Sequence, residues 1–169
     1  FRLFSAPIVL WMILEKKIEI AFWIFTIAAL SDLIDGYLAR LRKEETDFGT
    51  FFDPIADKLL VSSVILVLTA IGTIDSWTTI PALIILLREI TVSGLREFLA
   101  GIKVSVPVSR IAKFKTTIQI VSLAVLILSE GEKDIEFLLL FGKVTLWVAA
   151  VLTLYTGFDY FRAGFKHFR

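Results

Sequence analysis

The chain of 169 residues contains no cysteine, which excludes disulfides, thiolate metal sites and cysteine nucleophiles. Asparagine is also missing and glutamine occurs once, at Gln119; this scarcity of heat-labile side chains hints at a heat-loving source. The one histidine, His167, stands in a basic tail, where a solvated terminal residue is expected rather than a general base. Internal repeats, low-complexity runs and linkers are absent as well, so residues 1–169 read as one domain. No cleavable signal peptide is recognisable, and the chain opens on Phe1, so residues of the natural start are expected to precede it. The net charge is only +1, and no nucleic-acid partner is expected.

What the chain has in abundance is apolar surface. Hydrophobic residues make up 57% of it and the mean hydropathy is +0.81, well above a soluble domain. Runs such as 61–71, 81–87, 118–128 and 144–154 are apolar on every helical face, where a soluble helix would carry a polar stripe. A spanning helix needs about 20 residues to cross roughly 30 Å of hydrocarbon. The expected fold class is therefore all-α, an integral membrane protein with six transmembrane helices near 1–14, 18–42, 48–72, 77–100, 108–129 and 138–165. The first of these is short for a span.

Basic residues in short loops mark the cytoplasmic side. Arg42 and Lys43 lie in the second connection, Lys103, Arg110, Lys113 and Lys115 around the fourth, and Arg162, Lys166 and Arg169 at the end, against Lys16, Lys17 and Lys133 opposite. This distribution places both termini in the cytoplasm, with Asp75 and the acidic segment 130–136 on the other side. The aromatic residues Tyr155, Phe158, Tyr160, Phe161, Phe165 and Phe168 are expected to anchor the last helix at the interface.

Four aspartates stand out, because a carboxylate near hydrocarbon costs a few kcal/mol and is usually paired and functional. Asp32 and Asp35 follow the apolar run 21–30, and Asp53 and Asp57 follow the charged bend 42–47. At about 100° per residue, Asp32, Asp35, Gly36 and Ala39 share one helical face, and Gly49, Asp53 and Asp57 share another. Opposed, the two faces would gather four carboxylates, with small residues leaving room for a ligand against the backbone. Hard divalent cations relieve the repulsion of such a cluster, and Mg2+ is commonly held by carboxylates together with substrate phosphates. Taken singly, Asp32 could cap a helix, Asp35 could pair with Arg40, and Asp53 could mark a helix start before Pro54. A divalent-cation carrier would also use intramembrane acids, but it has no need of glycine, alanine and arginine at these spacings.

The run Asp32-Leu33-Ile34-Asp35-Gly36-Tyr37-Leu38-Ala39-Arg40, followed by Gly49, Asp53 and Asp57, resembles the signature of the CDP-alcohol phosphotransferases at every fixed position. Beyond it, the stretches 52–58, 88–90, 94–97 and 113–117 resemble the bacterial phosphatidylglycerophosphate synthases of that family. The resemblance runs from about Arg2 to Phe161. It implies a six-helix enzyme of the bacterial inner membrane, usually a homodimer, that moves a phosphatidyl group from CDP-diacylglycerol to an alcohol and releases CMP. It further implies two divalent ions, Mg2+ or Mn2+, held by Asp32, Asp35, Asp53 and Asp57, with Asp57 as the base. Asp32, Gly36, Ala39, Arg40 and Gly49 would receive the CDP-lipid. Arg40 also fits a snorkelling, topology-setting role.

For the acceptor, glycerol 3-phosphate is a dianion and calls for fixed cations. Arg88, Arg96 and Lys113 are the candidates, the first two lying eight apart along one side of a helix. Arg88 could instead form a buried pair with Glu89, Asp53 or Asp57. Lys103, Arg110 and Lys115 are assigned to topology or to contact with anionic membrane lipids. The same motif serves other acceptors, so inositol phosphate, serine and phosphatidylglycerol remain the alternatives.

Overall fold

Each apolar run forms a helix, the one open-ended structure that closes its backbone hydrogen bonds within itself. The computed structural model describes residues 2–42, 47–102, 104, 110–131 and 135–165, with side chains within 4–31, 55–56, 58–102, 104, 111–131 and 136–162. The elements are α1 (Arg2–Leu14), α2 (Ile18–Arg42), α3 (Asp47–Ala70), α4 (Ser76–Gly101), α5 (Arg110–Leu128) and α6 (Ile135–Phe165). Their ends fall within about three residues of the expected ones, the usual scatter of helix boundaries. The breaks have local causes. The α1–α2 turn carries Lys16 at a φ of 57°, and the α3–α4 turn carries Gly72 at a φ of 89°, a left-handed conformation that glycine adopts without strain.

Among the described residues three helical stretches are long and apolar enough to cross a membrane: Ser76–Gly101, Ile111–Leu128 and Glu136–Arg162. The apolar parts of the others are shorter: Phe4–Leu14, Ile18–Ser31 and Lys58–Ala70. In α1 the cause is length, since 13 residues rise only about 20 Å.

The exterior is apolar. Trp11, Trp23, Leu66, Leu87, Phe137, Val151 and Phe158 are all more than 55% exposed, an arrangement that fits a lipid solvent. Inside, Val9, Phe25, Val64, Leu68, Ile85, Leu123, Ile127 and Leu146 are fully enclosed and belong to one continuous core. Here α1 lies against α2 and α3, while α4 and α5 both lie against α6.

The helices α5 and α6 approach each other closely. Ser122 Oγ donates to the Gly142 carbonyl at 2.9 Å, and a Cβ at Gly142 would stand 2.7 Å from Leu126 Cδ2. Along the same face of α6 run Ala149, Ala150, Thr153, Thr156 and Gly157, the small residues that let membrane helices meet. The opposite end of the bundle from the aspartate stretch is closed by two polar ties: Thr73 donates to Glu130 at 2.6 Å, and Lys143 Nζ lies 2.6 Å from Asp75 Oδ2. Asp75 also caps α4, accepting from the Thr78 amide at 3.1 Å while the Asp75 amide donates to Thr78 Oγ1 at 2.9 Å. The hydrogen bond from Lys143, followed by those from Thr78, holds the Asp75 carboxyl well below the usual carboxylate range.

Two outcomes follow. Gly142→Ala is expected to lower stability in detergent by about 1–3 kcal/mol, since the Leu126 branch must move, whereas Gly94→Ala, with open space around the added carbon, is neutral or mildly stabilising; thermal unfolding of the two variants checks this. Because the Asp75 carboxyl is depressed in the fold, its contribution is fully present above the ordinary carboxylate range near about 3.9 and fades as pH falls below it. The stability gap between wild type and Asp75→Asn should therefore close on acidification, and a gap independent of pH contradicts the tie to Lys143.

Candidate active site

The aspartate motif lies on two helical stretches, with Asp32, Asp35, Gly36, Ala39 and Arg40 in α2 and Gly49, Asp53 and Asp57 in α3. The side chains of these eight residues lie outside the described ones, and among the described residues no group of three or more His, Asp or Glu converges on a common centre. What is described is the ground beside them. A cavity of about 250 Å³ is lined by Phe25, Ala28 and Ala29 of α2, by Lys58, Val61 and Ser62 of α3, and by residues of α4 and α5. Ala28 and Ala29 precede Asp32 by about one helical turn, and Lys58 directly follows Asp57. The helices that carry the two halves of the motif therefore both contribute to this cavity.

The far wall is polar. Glu89 and Arg96 come from α4, and Lys115, Thr116 and Gln119 from α5. Lys115 is only 3% exposed, and its ammonium is bound to the Glu89 carboxylate. An ammonium in a spanning helix needs such a partner, because burial without one is costly. The same carboxylate oxygen, Oε1, also meets Arg88, whose Nη1 lies 3.3 Å from it. Arg88 turns away from the cavity toward α6, where its Nη2 donates to Thr156 Oγ1 at 2.9 Å. Gly157 makes room for it: a Cβ there would come 3.0 Å from Arg88 Cγ. The ring of Tyr160 then stands between two guanidinium groups, with both Arg88 Cζ and Arg96 Cζ at 5.9 Å from its centre. The sequence Thr156, Arg88, Glu89, Lys115 is a polar chain that runs from α6 through α4 to α5.

Of the cations expected at an acceptor phosphate, the structure brings only Arg96 to the cavity. Arg88 stands behind Glu89, in the paired arrangement that was its alternative, and Lys113 is exposed and outside the lining. Lys115 departs from its expected role: assigned to topology or lipid contact, it is buried at the cavity wall. Tyr160 was expected at the interface and is instead 6% exposed between the arginines, while Tyr155 and Phe158 do face outward. Gln119 and Lys58 were given no role at a site, and Glu89 only that of a possible partner for Arg88. The one signal for Gln119 was its being the sole amide of the chain, set in an apolar run.

Among the described lining residues three are cationic, Lys58, Arg96 and Lys115, and one is acidic, Glu89. The charge link is testable. Glu89→Gln should lower stability in detergent by about 1–3 kcal/mol by stranding Lys115, and adding Lys115→Met should restore at least half of that loss. Strictly additive effects would mean that the two residues do not support one another.

Comparison with known proteins is consistent across the chain. Residues 1–155 match the family model described as CDP-alcohol phosphatidyltransferase. A protein of Rickettsia felis, named CDP-diacylglycerol–glycerol-3-phosphate 3-phosphatidyltransferase, is 50% identical over 86% of this chain and 78% of its own. One of the same name from Cereibacter sphaeroides is 34% identical over 99% of this chain and 93% of its own. Another, from Pectobacterium atrosepticum, is 45% identical over 83% and 75%.

Proposed function

The chain is an enzyme of the CDP-alcohol phosphatidyltransferase family, and from that premise we propose that it transfers the phosphatidyl group of CDP-diacylglycerol to glycerol 3-phosphate, forming phosphatidylglycerophosphate and CMP. The observation that carries the acceptor choice is the cationic wall of Arg96 and Lys115, with Lys58, facing the helices of the aspartate motif across one cavity. A neutral alcohol has no use for such a wall, whereas a phosphate dianion does. The names of the relatives from Rickettsia felis and Cereibacter sphaeroides support the same acceptor.

Members of this family generally depend on divalent metal. The donor set fits that requirement: four carboxylates on two helical stretches that border one cavity, all hard oxygen donors. We assign Asp32, Asp35, Asp53 and Asp57 to two ions, Mg2+ or Mn2+, which supply charge neutralisation at the pyrophosphate and at departing CMP. Gly36, Ala39 and Gly49 leave the nucleotide room against the backbone, and Arg40 meets its phosphates. Arg96 and Lys115 hold the acceptor phosphate, so the acceptor's terminal hydroxyl is presented toward α3. Its oxygen bonds to the phosphorus that carries diacylglycerol, the bond from that phosphorus to the CMP oxygen breaks, and CMP leaves with the electron pair. Asp57 takes the hydroxyl proton. Glu89 fixes Lys115, and Arg88 fixes Glu89, so Arg88 is a positioning residue.

We place the enzyme in the bacterial cell membrane, with six helices, both termini in the cytoplasm, and the cavity open to that side. Arg42, Lys43, Lys103 and Arg110 at the aspartate end support this orientation. The assembly we expect is a homodimer, as the family resemblance implies.

The decisive experiment incubates purified protein with CDP-diacylglycerol, Mg2+ and a panel of acceptors, scored for CMP release and lipid product. Glycerol 3-phosphate should be converted, and inositol phosphate, serine and phosphatidylglycerol should not; a preference for a neutral alcohol defeats the assignment. Asp57→Asn should lose turnover by about 100-fold or more while it retains most CDP-lipid binding.

A further inference from the structure

The chain's single glutamine, Gln119, lies on the cavity wall, is 3% exposed, and has an Oε1 with no hydrogen-bond partner. Four other buried side-chain atoms are unpartnered among the described residues: Thr26 Oγ1, Arg88 Nε, Trp147 Nε1 and Thr153 Oγ1. None of those four residues lines the cavity. A buried amide oxygen without a partner forfeits its hydration and gains nothing in return, so its place in a spanning helix calls for a ligand.

The neighbours of Gln119 define that ligand. Lys115 precedes it by four residues and shares its face of α5, about 6 Å lower along the axis. Lys115 and Arg96 supply the positive charge of this wall. The Thr116 hydroxyl is already engaged, donating to the Ala112 carbonyl at 3.1 Å. A neutral amide adds nothing to phosphate recognition beside two cations. It suits a neutral group that both donates and accepts, because whichever way its oxygen and nitrogen point, it can complement a hydroxyl.

Building on the proposed acceptor, we propose that Gln119 is the specificity-determining residue that binds the middle, non-reacting hydroxyl of glycerol 3-phosphate. The phosphate at Arg96 and Lys115, the middle hydroxyl at Gln119 and the terminal hydroxyl toward α3 fix the small acceptor at three points. A site built around a hydrogen bond rejects the analogue that lacks it, because the amide is then left unpaired.

The test compares glycerol 3-phosphate with 3-hydroxypropyl phosphate, the same phosphomonoester without the middle hydroxyl, in CMP-release assays of the full-length enzyme. Wild type should prefer glycerol 3-phosphate by about tenfold or more in kcat/KM, and Gln119→Leu should reduce that preference to within about threefold, by losing rate on glycerol 3-phosphate and little on the analogue. The analogue thus reports whether the variant is folded. Should leucine not be tolerated, Gln119→Met, an unbranched apolar match, is read in the same way. Equal use of the two acceptors by wild type, or a variant that keeps the preference or loses both rates alike, overturns the assignment. A wild type that refuses glycerol 3-phosphate but accepts another alcohol brings down the acceptor reading itself, and Gln119 with it; the two failures are distinguishable.

Discussion

The cost of holding charge inside an apolar bundle governs this structure. Lys115 is almost fully enclosed in a helix apolar enough to cross a membrane, and it is tolerated there because Glu89 meets it from α4. Glu89 would in turn be a poor guest without Arg88, and a Cβ at position 157 would press on Arg88 Cγ at 3.0 Å. One buried ammonium thereby dictates residues on three helices. The resulting chain of contacts registers α4 against α5 and α6 more specifically than apolar packing could, since dispersion is nearly indifferent to small slides.

Much of the fold could be read in the sequence because its signals are local. Runs of apolar residues too long for strands, broken by Lys16-Lys17, by Gly72 with Asp75, and by Gly131, leave little choice about where helices start and stop. The aspartate motif is read from helical spacing, which puts its members on shared faces, and their side chains lie outside the described residues. Of the six expected spans, those in α4, α5 and α6 are long and apolar enough among the described residues to cross a membrane.

Which lysine of α5 lines the cavity was not legible, and the cause is rotational. Lys113 and Lys115 stand two positions apart near the start of α5, so they point about 160° apart, and nothing in the local sequence says which one faces inward. The answer depends on Glu89, distant in sequence and contributed by another helix. Tyr160 was hidden by company: in a run of aromatics it looked like one more interfacial anchor, yet Thr156 and Gly157 on the same turn carry it inward to the arginines. Gln119 carried a signal of rarity, but rarity does not name a partner.

The cavity has two walls of different parentage. One is built from α2 and α3, the stretches of the aspartate motif, and the other from α4 and α5, whose polar residues are braced from behind by α6. On the proposed function, the machinery for breaking the donor's bond and the machinery for choosing who receives the fragment belong to separate pieces of chain that face each other across the cavity. Such a division lets evolution redraft the second wall residue by residue, trading one recipient for another, while the first keeps its chemistry untouched.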